Sequence, residues 1–126
     1  MRARGMEEGF TLLEVVVVIV LLGILAAVAL PFFTNLATQA DAASASGVAG
    51  AISGANSRNY AVCSLNPNHA DCVQVSNCAD GVNLLETGLP PDFGITANEV
   101  SPGQTRTDCV VTSPRGGQAT FTLTGT

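Results

Sequence analysis

The sequence predicts an α+β fold. A long amino-terminal α-helix packs, over its second half, on a small antiparallel sheet held by disulfides. Three observations predict it. An apolar run from Val15 to Leu30 is followed by apolar and small residues at steps of three and four as far as Asn59. All four cysteines, Cys63, Cys72, Cys78 and Cys109, lie beyond that stretch. The last third of the chain holds short strand-like runs separated by Gly and Pro turns. With 126 residues, one folded domain behind a targeting segment is the expected organisation. The boundaries read as a leader over 1–9, an apolar helix over 10–31, its amphipathic continuation over 32–59, and a globular head over 60–126.

Residues 1–9 read as a short leader. Arg2 and Arg4 would hold it on the cytoplasmic side of a membrane. It is shorter than a secretory signal, and Ala27 and Ala29 make a poor small-x-small cleavage site. Met6 is an alternative start that would drop both arginines. From Phe10 to Phe33 the interruptions are Thr11, Glu14, Gly23 and Pro31. Those 24 positions give a helix of roughly 36 Å, against a hydrocarbon core about 30 Å thick. A spanning segment must satisfy its own backbone, so helix is required there. Gly23 and Pro31 are its weak points. Pro31 has no N–H for the carbonyl of residue 27, so a kinked continuation is expected.

Glu14 stands at the head of this segment. A carboxylate within it costs roughly 2.5–3.5 kcal/mol at the bilayer centre and less near an end. An intramembrane acid calls for a partner. The chain has no Lys, and Arg58, Arg106 and Arg115 are far down the sequence. The nearby cation would be a new amino terminus, made by cutting after Gly9. The competing reading is a helix-end Glu that snorkels to the interface.

Gly9-Phe10-Thr11-Leu12-Leu13-Glu14 followed by an apolar run resembles the prepilin signature of type IV pilins and of the pseudopilins of type II secretion. The resemblance covers about the first 60 residues. It implies a type IV pilin fold and cleavage by a membrane prepilin peptidase between Gly9 and Phe10. It also implies N-methylation of Phe10 and pairing of Glu14 with the amine of a neighbouring subunit. Glu7 and Glu8 depart from the family pattern, which more often has a basic residue before the Gly. The run Gly47-Val48-Ala49-Gly50-Ala51, with Asn56 and Tyr60, most resembles the mannose-sensitive haemagglutinin-type pilins.

Over 32–59 the expected sheet-facing stripe is Phe33, Leu36, Ala40, Ser44, Gly47, Val48, Ala51, Ile52, Ala55 and Asn59. Asn35, Thr38, Asp41, Ser46, Ser53, Asn56 and Arg58 fall on the other face. A helix from Phe10 to Asn59 would run about 75 Å.

The head is loop-rich. In an oxidising compartment an even cysteine count reads as two disulfides, and four cysteines allow three pairings. The preferred set is Cys63–Cys72 with Cys78–Cys109. The second resembles the loop-closing bridge near the carboxyl end of many type IV pilins. Asp108 to Thr112 and Ala119 to Leu123 read as strands, with Val110, Val111, Phe121 and Leu123 as inward residues. Ile95 to Val100 is a weaker strand, and Pro114-Arg115-Gly116-Gly117 is a turn.

Formal net charge is −5, and it stays so once residues 1–9 are removed, with three arginines against eight acids. No basic cluster or aromatic series marks a direct nucleic-acid site. One His, no nucleophile elbow and no phosphate loop argue against an enzyme. His69 and Cys72 are close, but no Cys-x-x-Cys pair accompanies them, so no metal is expected. Calcium, which related major pseudopilins bind, finds no dense run of oxygen ligands here. No cofactor is expected.

The resemblance implies a structural subunit of a homo-oligomeric filament, serving attachment or motility. Such a subunit sits in the inner membrane as a precursor and meets an assembly machinery there. It ends in a pilus on the cell surface. A type II secretion pseudopilin and a membrane-anchored periplasmic binding domain are the alternatives.

Overall fold

The structure is a computed structural model that describes residues 9–126. The leader, with Arg2, Arg4, Met6, Glu7 and Glu8, lies outside the described residues; only its last residue, Gly9, is within them. The elements in order are helix α1 (Leu12–Leu65), a short 3₁₀ helix (Cys78–Leu84), and strands β1 (Gly94–Ile95), β2 (Thr105–Thr112) and β3 (Gln118–Thr124). The chain divides into two units, one ending at Ala37 and one spanning Thr38–Thr126.

In the first unit the apolar side chains of α1 have nothing to pack on. Val15, Leu22, Leu30 and the other large apolar residues between them are exposed. Water would penalise such a surface at roughly 25 cal/mol per Å². The helix runs on through Gly23 and Pro31. The Thr34 hydroxyl donates to the Pro31 carbonyl at 2.9 Å.

The second unit is an α+β head. Its three strands form an antiparallel sheet in the order β1-β2-β3. Thr112 pairs with Gln118 next to the turn, and Arg106 with Leu123 farther along. Between Arg106 and Cys109 the register shifts by a bulge. The turn is the expected one. Ser113 N–H donates to the Gly117 carbonyl, and Gly116 has φ +91°, a region that side chains resist. Ile52 of α1, Val75, Val111 and Leu123 are fully buried, with Phe121 beside them. Gly81 of the 3₁₀ helix lies so close that a Cβ there would stand 3.0 Å from Ile52 Cγ2.

Several expectations need correction. α1 runs to Leu65 rather than Asn59. The strand expected over Ile95–Val100 shrinks to β1, and Glu99 makes only an isolated bridge to Asn77. Val110 is half-buried while Val111 is fully buried, because adjacent strand residues point to opposite faces. The 3₁₀ helix was not expected. Its signal was Asn77 and Asp80, a reciprocal capping box that the structure shows complete.

The largest correction concerns which face of α1 meets the sheet. The buried residues are Ala45, Ala49, Ile52, Asn56, Asn59 and Cys63. Ala40, Ser44, Gly47 and Ala51 are exposed, and a Cβ added at Gly47 would meet nothing within 4 Å. Polar residues assigned to the outer face turn inward because they bond to backbone. Asp41 Oδ2 accepts from the Ser113 hydroxyl at 2.7 Å and from Gly117 N–H at 2.8 Å. Ser53 Oγ accepts from Thr122 N–H at 3.0 Å, and Asn56 Oδ1 from Thr124 N–H at 3.2 Å. Asn59 takes both backbone groups of Val73, accepting from its N–H and donating to its carbonyl at 2.8 Å each. β3 is an edge strand, so Ser53 and Asn56 pair N–H groups that no further strand takes.

Asn56→Ala is expected to destabilise the head by about 1–3 kcal/mol, since it leaves the Thr124 N–H buried without an acceptor. Urea titration of the full chain in detergent checks this. An unchanged midpoint would show that the bond contributes nothing.

Candidate functional site

The chemistry-bearing residues of the first unit gather at the start of α1. Helix geometry begins at Leu12, so Thr11 stands at the cap position and Glu14 at the third helical position. The first N–H groups of a helix have no partner within it. Here Glu14 N–H donates to the Thr11 carbonyl at 3.1 Å and to the Thr11 hydroxyl at 3.3 Å. Val15 N–H donates to the same carbonyl at 3.3 Å. The Thr11-Leu12-Leu13-Glu14 spacing is that of a capping box, a signal the sequence reading passed over. A carboxylate in the first turn also complements the positive end of the helix dipole.

The Glu14 side chain is exposed, and among the described residues no cation lies within ion-pair range of it. It is the one acid on a helix segment whose other residues, from Val15 to Leu30, are apolar or small. Gly9 and Phe10 precede the helix in irregular backbone, and Phe10 is 83% exposed. Gly23 and Pro31 sit far along the helix from these residues, and neither meets Glu14. The arrangement supplies one unpaired carboxylate at the end of an unpacked apolar helix. That is a means of binding a cation.

The four cysteines belong to the head. Cys63 pairs with Cys72 and Cys78 with Cys109. The first bridge ties the end of α1 to the following loop. The second ties the 3₁₀ helix to β2 and is wholly buried. A Cys72 held in a disulfide cannot be the thiolate ligand of a metal. Among the described residues no group of three or more His, Cys, Asp or Glu side chains stands together. His69 is occupied by its own loop, accepting from Asp71 N–H at 3.1 Å.

The remaining charges also read as structural. Arg106 donates to both carboxylate oxygens of Asp108, at 2.9 and 2.6 Å, and to the Glu99 carbonyl. That hydrogen bond holds the Asp108 carboxyl below the usual carboxylate range. Arg58 and Glu86 form a loose exposed pair at 3.8 Å. Exposed pairs of this kind contribute little to stability.

With that geometry in view, two comparisons with known proteins are informative. The family described as the prokaryotic N-terminal methylation motif matches residues 4–30. That stretch contains Gly9, Phe10, Thr11, Glu14 and the whole apolar run. Among curated proteins, the fimbrial protein EcpC of Eikenella corrodens is 39% identical to this chain over 57 residues. The match takes in 45% of this chain and 37% of that protein, so the chain spans little more than a third of its relative's length. No solved structure matches.

Proposed function

We propose that this chain, which carries the type IV pilin signature at its amino-terminal end and a pilin-like α+β head behind it, is a structural subunit of a pilus filament. The observation that carries this reading is Glu14, exposed and, among the described residues, without a cation, on a helix whose apolar side chains there lie exposed. Both needs are met by other copies of the chain. Neighbouring helices would cover the apolar surface, and a neighbour's amino terminus would meet the carboxylate.

In this reading a prepilin peptidase cuts between Gly9 and Phe10 and methylates the new amino group of Phe10. Residues 10–126 hold no Lys, so no side-chain amine among them competes with that group. Before assembly the apolar part of α1 lies in the inner membrane. The assembly machinery then draws it out, and exchange of lipid for other helices leaves its apolar surface covered throughout. The head, with its sheet and two disulfides, faces outward for attachment or motility. The fimbrial relative supports the same class of role.

The test is intact mass, measured on material sheared from cells that express the chain with a working peptidase. The expected product is residues 10–126, plus one methyl and minus four hydrogens for the two disulfides. Processed chain confined to the envelope would point instead to a pseudopilin of type II secretion. Chain that keeps residues 1–9 would overturn the cleavage and leave an anchored domain.

A further inference from the structure

We propose that Thr11 is a positioning residue for Glu14: its hydroxyl caps α1, so the Glu14 carboxylate is left for a neighbour's amine. This inference rests on the pilus-subunit reading above and adds a residue to it.

Among the described residues both helix starts carry the capping-box spacing, and they are completed differently. At the 3₁₀ helix both halves are made. Asn77 Oδ1 accepts from Ala79 N–H at 3.0 Å, and Asp80 Oδ2 reaches back to accept from Asn77 N–H at 2.9 Å. Asp80 is thereby held by its own helix start, and it also accepts from Ser76 N–H and the Ser76 hydroxyl. At α1 only the Thr11 half is made. The Thr11 hydroxyl accepts from Glu14 N–H, and the Glu14 carboxylate takes no hydrogen bond from Thr11 N–H.

The difference has a functional meaning. A capping-box carboxylate that closes on its own backbone is engaged and directed inward along its own helix. One that stays open keeps all its acceptor capacity for a cation from outside. For the helix start to hold without it, another group must cap the first turn, and Thr11 does so. The flanking residues fit the same local design, with Phe10 just before the cap and Val15 just after Glu14, the two positions of a hydrophobic staple. Without the hydroxyl, Glu14 N–H keeps only the Thr11 carbonyl. The first turn would then fray, or the carboxylate would fold back to replace the lost cap. Either outcome removes Glu14 from the place where a neighbouring amine meets it.

The experiment compares Thr11→Val, Thr11→Ser and Thr11→Asn in the full chain, with Glu14→Ala alongside. Val keeps the shape and loses the acceptor oxygen. Ser keeps the hydroxyl. Asn differs in shape and is a strong cap. Cleavage after Gly9 is read by intact mass, and assembly by the amount of sheared filament per cell. All three Thr11 variants are expected to be cut. Thr11→Val filament should fall at least about five-fold, the change that loss of one cap implies, while Ser and Asn stay near the parent level.

Filaments of Thr11→Val at the parent level would overturn the proposal. So would a processed Thr11→Asn that assembles as poorly as Thr11→Val, since a cap role tolerates the change of shape. Loss of cleavage in Thr11→Val would assign the hydroxyl to the peptidase and overturn it as well. The Glu14→Ala control separates the two levels. Normal filaments from it would remove the Glu14–amine pair itself. Lost filaments from it beside normal Thr11→Val filaments would remove only the role of Thr11.

Discussion

Glu14→Ala is expected to enter the membrane, to be cut after Gly9, and to leave cells almost without filaments. The three outcomes follow from one charge placed in two environments. In lipid the carboxylate opposes insertion, by up to roughly 2.5–3.5 kcal/mol at the centre and less near the helix end where Glu14 stands. Its removal therefore cannot hinder insertion. The proposed cleavage would act on the Gly9–Phe10 bond, which lies outside the helix that carries the carboxylate. In a filament core the same carboxylate would face an amine away from water. Removing one partner of a buried pair costs roughly 3–5 kcal/mol, because the other charge is left alone. At 1.4 kcal/mol per factor of ten, each lateral contact would weaken by at least about a hundred-fold. Counting filaments by electron microscopy, with intact mass for processing, tests this. Normal filaments from the variant would remove the assembly role of Glu14.

The second large effect is expected from Cys78→Ser combined with Cys109→Ser. Both sulfurs are wholly buried, and their bridge closes a loop across a sequence separation of 31. In the chain-entropy account that closure stabilises the head by about 3.7 kcal/mol. The Cys63–Cys72 bridge, with a separation of 9, gives about 2.7 kcal/mol by the same reasoning. The longer bridge also fixes the 3₁₀ helix on β2, and with it the close approach of Gly81 to Ile52 and Phe121. A head this small, with one aromatic side chain in its core cluster, has little else to hold that layer in place. The double variant should show a much lower denaturant midpoint and rapid proteolysis between the 3₁₀ helix and β2. A midpoint equal to the parent's would show that packing alone holds the layer. The corresponding change at Cys63 and Cys72 should be milder, because that bridge lies at the end of α1 and Cys72 is only half-buried.

Much of the architecture could be read from residue order. The apolar run and the steps of three and four that follow it are periodic, and periodicity survives without knowledge of the fold. β2 and β3 were legible for the same reason, and the turn between them through its Pro and Gly residues. The face of α1 was legible only in part, since Val48, Ile52 and Ala55 do pack inward but the polar residues mislead. Asp41, Ser53 and Asn56 are polar, and polarity alone places them outside. They turn inward because the edge of β3 and the β2–β3 turn present N–H groups there, and the position of that backbone is a tertiary fact. Asn59 is the instructive exception. It fell on the expected inner face by spacing, and it earns that place by bonding both backbone groups of Val73. At the candidate site, Glu14 was legible because an acid interrupts an apolar run. Thr11 was passed over because a hydroxyl residue near a helix start is common; its role shows only when the two capping boxes are set side by side.

The way α1 holds β3 bears on how many copies can live crowded together. An open strand edge is a template on which another chain can grow a sheet, and a filament brings identical heads close at very high local concentration. This sheet gives such growth little to start from. One margin, β1, is only two residues long. Along the other, Ser53 and Asn56 already occupy the amides of Thr122 and Thr124. In the proposed filament, copies of this chain would therefore stack by their helices without their sheets fusing. The polymer would stay a reversible assembly of separate folded parts, not a continuous cross-β ribbon.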